Sequence, residues 1–144
     1  MILLKNVIIV DAGSDLNGKK RDVLIKNGKI EKIALSITEE SAKLIAHENM
    51  HVSIGWIDTS VSLGEPGVEE RQTLENGIKA AAAGGFTHIM LNPNNQPNPQ
   101  DQSGIKYLKN VTANQAVSIL PVGSFSLNQK GEHLAELFDM QQAG

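Results

Sequence analysis

The stretch from Val68 to Leu91, VEERQTLENGIKAAAAGGFTHIML, decides the fold class of this 144-residue chain. Its first part, up to Ala83, predicts a helix, because four apolar residues fall on one helical stripe: Leu74, Ile78, Ala81 and Ala82. Gly84-Gly85 predicts the end of that helix, and Phe86–Leu91 predicts a buried strand. A helix followed at once by a strand is typical of proteins that alternate helices with parallel strands.

The same alternation continues on both sides of this stretch. The segment IDTSVSLGEPG (57–67) predicts a short strand that runs into a turn, and the asparagine–proline loop 92–99 leads into a weaker helix at Asp101–Val111. A third strand is predicted at Val117–Val122 and a third helix at Glu132–Gln142. Strands and helices in this order predict a parallel sheet with right-handed crossovers.

Residues 1–54 have a different pattern, made of strands and turns. Leu3–Val10 is rich in β-branched residues, and two short strands flank Asn27-Gly28, which is a two-residue hairpin signal. The change near residue 55 divides the chain into a β segment, 1–54, and an α/β part, 55–144. A closed (β/α)8 barrel takes about 250 residues, so we expect the chain to be the N-terminal fragment of a larger protein. A complete three-layer α/β domain is the alternative.

Composition limits the classes of partner and of site. The net charge of −3, with no basic stripe, argues against a nucleic-acid surface. The apolar N-terminus, Met1–Val10, is too short to span a bilayer, so we expect neither nucleic acid nor a membrane as partner. The chain has no cysteine, which excludes disulfides and thiolate metal sites. A cytoplasmic location is therefore expected.

The motif His47-Glu48-Asn49-Met50-His51 fits H-E-x-x-H, which on a helix would hold zinc and supply a general base. Its surroundings argue against that chemistry here. Residues 51–55 are strand-like, and the helical run at Ser41–Ala46 is too short to carry the motif in its interior. His88, in a predicted buried strand, and His133, at the start of a predicted surface helix, are the remaining candidate ligands. We interpret His47 and His51 as solvated turn histidines.

Two further groups of polar residues follow predicted strands. Asn94 and Asn95 lie in the loop at the carboxyl edge of a strand, where α/β proteins bind ligands, although the loop is also rich in ordinary turn formers. Ser60 and Ser62 are two residues apart and so share one face of a strand. No histidine lies nearby in sequence to act as a base, so local pattern alone assigns these serines no role.

Taken together, these segments resemble the N-terminal third of a type I dihydroorotase of the amidohydrolase superfamily. The stretches that carry the resemblance cover nearly the whole chain: LLKNVIIVDAG (3–13), DVLIKNGKIEKI (22–33), GWID (55–58), LGEPGVEERQTLENGIKAAAAGGFTHIMLNPNNQP (63–97) and ILPVGSFSLNQKGEHLAELFDMQQAG (119–144). The resemblance implies a small β-sandwich segment at 1–54, followed by the first three βα units of an incomplete (β/α)8 TIM-type barrel at 55–144. It also implies a zinc-dependent hydrolase of pyrimidine biosynthesis that interconverts carbamoyl-aspartate and dihydroorotate.

The chain departs from that family where its chemistry begins. The first barrel strand of the family ends in H-x-H-x-R, two zinc ligands and an arginine for the substrate carboxylate, and these positions here are Ser60, Ser62 and Gly64. A serine hydroxyl stays protonated near neutral pH and is a poor zinc ligand. Without zinc, a bound water is not lowered to a pKa of about 7. We therefore expect loss of the zinc site, with no catalytic or metal-binding residue in this chain.

One residue matches a substrate-binding position of the family, Asn94, and the neighbouring Asp58 and Glu65-Pro66-Gly67 are kept. The first hypothesis is a pseudoenzyme that retains a structural or partner-binding role. The family implies aspartate transcarbamoylase as its partner, and a homo-oligomer is a further expectation. The alternative is an active, metal-dependent cyclic amidohydrolase that takes its ligands from beyond Gly144.

Overall fold

The computed structural model describes residues 1–144, which form two compact units, Met1–Ile54 and Gly55–Gly144. The mixed α/β class predicted from the sequence is confirmed. All of the α-helices belong to the second unit. None of them has the length and apolar character needed to cross a membrane.

The first unit is one five-stranded sheet. Its strands are β1 (Ile2–Val10), β2 (Lys20–Lys26), β3 (Lys29–Ala34), β4 (Lys43–Ile45) and β5 (His51–Ser53). The order is β3-β2-β1-β4, and β5 also pairs with β1. Strands β1, β2 and β3 are antiparallel neighbours, whereas β4 and β5 run parallel to β1. The second layer that a sandwich requires is not formed within these residues.

The hairpin predicted at Asn27-Gly28 joins β2 to β3. Both residues have positive φ, 51° and 73°, as the two central positions of a tight hairpin turn require. The helical run expected at Ser41–Ala46 is wrong, because Lys43–Ile45 is strand β4 instead. Its backbone pairs with Ile2–Leu4 of β1, and this ladder outweighs the weak helical preference of so short a run.

A β-bulge in β1 organises the first unit. Leu4 pairs with Val23 and Val7 with Arg21, so Lys5 and Asn6 together face the single residue Asp22. The bulge shifts the alternation of side chains along β1. As a result, two separate apolar clusters form, one around Leu3, Leu24 and Ile37 and the other around Val7, Ile9 and Val23.

Asp22 satisfies the groups that the bulge leaves unpaired. Its side chain is only 1% exposed. The carboxylate accepts hydrogen bonds from the Lys5 ammonium, from the Asn6 amide at 3.0 Å and from the Ile37 amide at 2.8 Å. Burial by itself would raise the pKa of Asp22, but these hydrogen bonds and the Lys5 charge hold that pKa below its ordinary value.

The second unit is a parallel sheet with helices between its strands. Its elements are β6 (Trp56–Val61), α1 (Leu74–Ala83), β7 (Phe86–Leu91), α2 (Gln102–Val111), β8 (Ser118–Pro121), a short 3-10 turn (Leu127–Gln129) and α3 (Leu137–Ala143). The strand order is β6-β7-β8, and both pairings are parallel. The predicted alternation and the predicted parallel pairing are confirmed.

Two helices begin later than the sequence pattern predicts. Helix α1 starts at Leu74 rather than Val68, because Thr73 caps it by accepting from the Asn76 amide at 3.2 Å. The residues before Thr73 form a turn instead. Helix α3 starts at Leu137 rather than Glu132, since Leu134 forms a β-bridge with Ser126.

The helices cover one face of the sheet and leave the other face without helices. The core of the unit is formed by Leu63, Leu74, Ile78, Ile89, Leu91, Leu108, Val117 and Ile119. Because side chains alternate along a strand, Met90 and Leu120 lie on the opposite face, together with Ser60 and Ser62. His88 shares that face with Met90 and is exposed, so its predicted burial is wrong.

The Asp22 network gives a prediction for the stability of the first unit. Replacing Asp22 with Asn leaves the Lys5, Asn6 and Ile37 donors without a charged acceptor, and should cost about 2–3 kcal/mol of unfolding free energy at neutral pH. The exposed Asp15 offers a matched control, Asp15→Asn, which should cost almost nothing. Amide hydrogen exchange at Val7 and Val23 would report the difference.

The pH dependence has a definite sign. Because the folded pKa of Asp22 is lowered, its stabilisation is complete above the unfolded-state value and is lost as pH falls from about 5 towards 2. The wild type should lose this part of its stability over that range, whereas Asp22→Asn should not. An identical acid dependence in both proteins would contradict this role for Asp22.

Candidate serine–asparagine site

Ser60 and Ser62 meet two asparagine side chains at the carboxyl ends of β6 and β7. The Asn92 amide nitrogen donates to Ser60 Oγ at 3.2 Å and to Ser62 Oγ at 3.5 Å. The Asn94 amide nitrogen donates to Ser62 Oγ at 2.9 Å. We call Ser60, Ser62, Asn92 and Asn94 the serine–asparagine cluster. The structure therefore brings together the two predicted serines and the predicted Asn94.

Asn92 is the member of the cluster that the sequence did not indicate. It lies two residues after Met90 on the helix-free face of the sheet, and its backbone amide donates to Val61 O at 2.8 Å. This bond continues the parallel β6–β7 pairing by one step and brings the Asn92 side chain over the serines. A polar residue in register with Ser60 and Ser62 on the neighbouring strand was the available signal.

The donor set of the cluster does not fit zinc. Both hydroxyl oxygens accept hydrogen bonds from amide nitrogens, and the cluster contains no imidazole, carboxylate or thiolate. Asp58 is close in sequence, but its Oδ1 accepts the Ser60 backbone amide at 3.0 Å. No group of three or more His, Cys, Asp or Glu side chains in the structure could hold a metal ion.

The H-E-x-x-H motif also lacks the geometry for a metal. Glu48 and Asn49 lie in a turn, and His51 begins strand β5, so the two imidazoles do not share a helical face. His51 Nδ1 lies 2.7 Å from Asn49 O, and both histidines are exposed. The interpretation of His47 and His51 as solvated turn histidines is confirmed by this geometry.

Gly64 lies in a turn that leaves no space for a side chain. Its amide donates to Gln72 O at 2.9 Å, and its carbonyl accepts from the Val68 amide at 2.9 Å. A Cβ atom at this position would overlap the Val68 carbonyl oxygen and lie 3.1 Å from the Arg71 Cβ. An arginine at position 64 would therefore require the 64–72 turn to rearrange.

Asn95 joins the turn after β6 to the loop after β7. It is 3% exposed, and its amide nitrogen donates to Leu63 O at 3.4 Å and to Glu65 O. The Gln96 amide donates to Pro66 O at 2.9 Å beside it. The nitrogen of Asn95, which the sequence suggested for a ligand, is thus occupied by the backbone of the neighbouring loop.

The shifted carboxyl groups of this unit act as local caps. The Gly67 backbone amide lowers the pKa of Glu69, and the Ser103 hydroxyl, with the Gly104 amide, lowers the pKa of Asp101. A general acid needs a carboxyl whose pKa is raised towards the working pH, and these two shifts have the opposite sign. They stabilise turns and the start of α2.

Residues 50–144 match the family model described as "Dihydro-orotase-like". The chain belongs to the dihydroorotase-like family. The resemblance inferred from its sequence motifs is confirmed. The chain is 36% identical to the dihydroorotase of Pelotomaculum thermopropionicum and 31% identical to that of Aquifex aeolicus. These matches cover 99% of this chain and 33% and 34% of the two relatives, so the chain spans about a third of their length.

Solved structures show the same relationship at the level of fold. An L-hydantoinase (dihydropyrimidinase) from Arthrobacter aurescens superposes with a TM-score of 0.78 at 23% identity, over 99% of this chain and 31% of that one. A D-hydantoinase superposes with a TM-score of 0.67 at 28% identity, over 87% of this chain and 27% of that one. A dihydroorotase follows at 0.62 and 17%, over 87% and 31%.

The close packing at Gly64 predicts the effect of adding one methyl group. Gly64→Ala should lower the unfolding free energy of the second unit by about 1–3 kcal/mol, because the new Cβ must displace the Val68 carbonyl. Urea denaturation followed at 222 nm measures this unit, since all α-helices lie in it.

Gly13→Ala is the matched control for this substitution. Its added Cβ would meet Asp11 Oδ1 at 3.5 Å, which is an ordinary van der Waals contact. Equal urea midpoints for Gly64→Ala and the wild type would contradict the tight turn, and would reopen position 64 to an arginine.

Proposed function

We propose that this chain is a dihydroorotase homologue of pyrimidine biosynthesis that has lost zinc-dependent catalysis. In this proposal it is a cytoplasmic pseudoenzyme with a structural or partner-binding role. The observation that carries the proposal is the serine–asparagine cluster. At the two positions where the family resemblance implies zinc-binding imidazoles, hydroxyl groups accept hydrogen bonds from Asn92 and Asn94.

The chemistry of the cluster supports this assignment. Hydrolysis of a cyclic amide near neutral pH needs an activated water, and in a metal-dependent hydrolase the metal supplies it. Neutral hydroxyl and amide groups neither bind zinc well nor accept a proton from water. Position 64 adds a second deficiency, because Gly64 offers no cation to a substrate carboxylate and its turn has no space for one.

We further propose that Gly55–Gly144 corresponds to the first three βα units of a TIM-type barrel, and Met1–Ile54 to one sheet of a small β-sandwich. The parallel order β6-β7-β8 supports the barrel assignment. The helix-free face, which carries Met90, Leu120 and the serine–asparagine cluster, corresponds to the interior of such a barrel. The cluster then lies at the carboxyl ends of the strands, where barrel enzymes build their sites.

Asn94 is the residue for which we propose a retained contact with a ligand. Its amide nitrogen is used by Ser62, but its Oδ1 is buried and has no hydrogen-bond partner. A buried acceptor without a partner is costly, and a ligand N–H would remove that cost. In this chain Asn94 would therefore act as an acceptor.

The partner in this proposal is aspartate transcarbamoylase, as the family resemblance implies. Segment 125–138 offers a surface for it, since three large apolar side chains there are strongly exposed: Phe125 at 71%, Leu134 at 64% and Phe138 at 70%. We expect the chain to co-sediment with purified aspartate transcarbamoylase, and Phe138→Ser to weaken the association. Migration as a homo-oligomer, unchanged when the transcarbamoylase is added, would count against this partner.

Zinc titration by calorimetry tests the loss of the metal site. The wild type should show no stoichiometric zinc binding at the cluster. The double variant Ser60→His/Ser62→His should gain one zinc ion, because imidazoles at i and i+2 share a face of the strand. Ser60→Ala/Ser62→Ala is the matched control and should behave like the wild type.

Two results would overturn the proposal. One is a zinc ion bound by the wild type and lost in Ser60→Ala/Ser62→Ala. The other is interconversion of carbamoyl-aspartate and dihydroorotate by the wild type that a chelator abolishes, which would favour an active amidohydrolase.

A further inference from the structure

A cavity lined by side-chain amides lies beside the serine–asparagine cluster. Its volume is about 370 Å³, and we call it the carboxamide pocket. The residues that line it are Asn94, Asn95, Gln96, Pro97, Asn98, Asn128 and Gln129. All of them except Pro97 carry a carboxamide group, and none is charged. Its volume falls within the usual range of small-molecule sites.

Three buried side-chain polar atoms in the structure have no hydrogen-bond partner, and all three belong to residues of this pocket. They are Asn94 Oδ1, Asn95 Oδ1 and Asn98 Nδ2. Buried polar atoms in folded proteins are nearly always paired, so their concentration at one cavity requires an explanation. A bound molecule that supplies the missing partners explains it.

The hydrogen bonds around the pocket determine which atoms stay available. The amide nitrogen of Asn94 is held by Ser62 Oγ, and that of Asn95 by Leu63 O and Glu65 O. These bonds fix one end of each carboxamide and leave the oxygen as an acceptor. Across the pocket, Gln129 donates its side-chain amide to Pro93 O, which ties its wall to the same loop.

The unpaired atoms thus comprise two acceptors, Asn94 Oδ1 and Asn95 Oδ1, and one donor, Asn98 Nδ2. We propose that the carboxamide pocket binds a small neutral molecule with an amide or urea group, which presents N–H donors beside a carbonyl acceptor. A carboxylate does not fit, because it has no N–H and no cationic side chain lines the pocket.

Binding requires a small adjustment of the pocket walls. The three unpaired atoms are buried, so the ligand reaches them when the asparagine carboxamides turn about χ2, a torsion that is broad for this residue. The site does not depend on the loss of zinc proposed above, since none of its unpaired atoms takes part in metal binding. Its test can therefore fail while the proposed function stands, and the reverse also holds.

Nuclear magnetic resonance titration of the full chain with N-methylurea tests the pocket. The side-chain amide signals of Asn94, Asn95 and Asn98 should shift and saturate. Tetramethylurea, which keeps the carbonyl but has no N–H, and acetate, which is charged, should give no saturable shift.

Variants locate the binding within the pocket. Asn98→Leu removes the unpaired donor and should weaken N-methylurea binding about fivefold, the usual effect of one hydrogen bond. Asn110→Leu, an exposed asparagine on α2, is the matched control and should bind like the wild type. If Asn98→Leu does not fold, Asn128→Ala removes one carboxamide from the wall and should also weaken binding.

Three results would overturn the proposal. The first is a linear, non-saturating shift of all exposed amides, which indicates a general solvent effect. The second is an equal response to tetramethylurea, which means that N–H donors are not recognised. The third is unchanged affinity in both the Asn98 and the Asn128 variants.

Discussion

The constraint on which the site depends is the tie between the turn after β6 and the loop after β7. The buried amide of Asn95 donates to Leu63 O and Glu65 O, and the Gln96 amide donates to Pro66 O. The same turn begins the helix, because Glu65 Oε2 accepts the Leu74 amide at 2.7 Å. One set of short contacts thus fixes the start of α1, the absence of space at Gly64 and the position of the asparagines over the serines.

This tie explains how the chain can keep a family fold while lacking that family's metal ligands. Replacing imidazoles with hydroxyls at the end of a buried strand would normally leave polar groups without partners. Here Asn92 and Asn94 supply donors to Ser60 and Ser62, so the cluster is stabilised by hydrogen bonds rather than by a metal. The unpaired oxygen of Asn94 then faces a different task, which the carboxamide pocket accounts for.

Local sequence signals predicted the elements that depend on local physics. Asn27-Gly28 gave the hairpin, Asp101 gave the cap of α2, and Gly84-Gly85 ended α1 before β7. The failures depended on partners distant in sequence. Residues 68–72 have a helical pattern, but their backbone pairs with Gly64, and nothing within that segment reveals this. Likewise, Asp22 is explained only by a bulge sixteen residues before it in β1.

The site was predictable only in part, for the same reason. The period of a strand places Ser60 and Ser62 on one face, and the family pattern singles out Asn94. The role of Asn92 depends on the register between β6 and β7, which a single sequence does not provide. That the unpaired atoms of Asn94, Asn95 and Asn98 belong to one cavity could be seen only in three dimensions.

The central claim is that hydrogen bonds occupy the positions where a metal would otherwise lie. The most direct measurement follows the side-chain amide signals of Asn92 and Asn94 in the wild type while one equivalent of zinc is added. The account predicts that both pairs of signals keep their positions and their slow exchange with solvent, because the hydroxyl groups of Ser60 and Ser62 stay bonded to them. Stoichiometric displacement of these signals by zinc would show that the serines release the asparagines to a metal, and would contradict it.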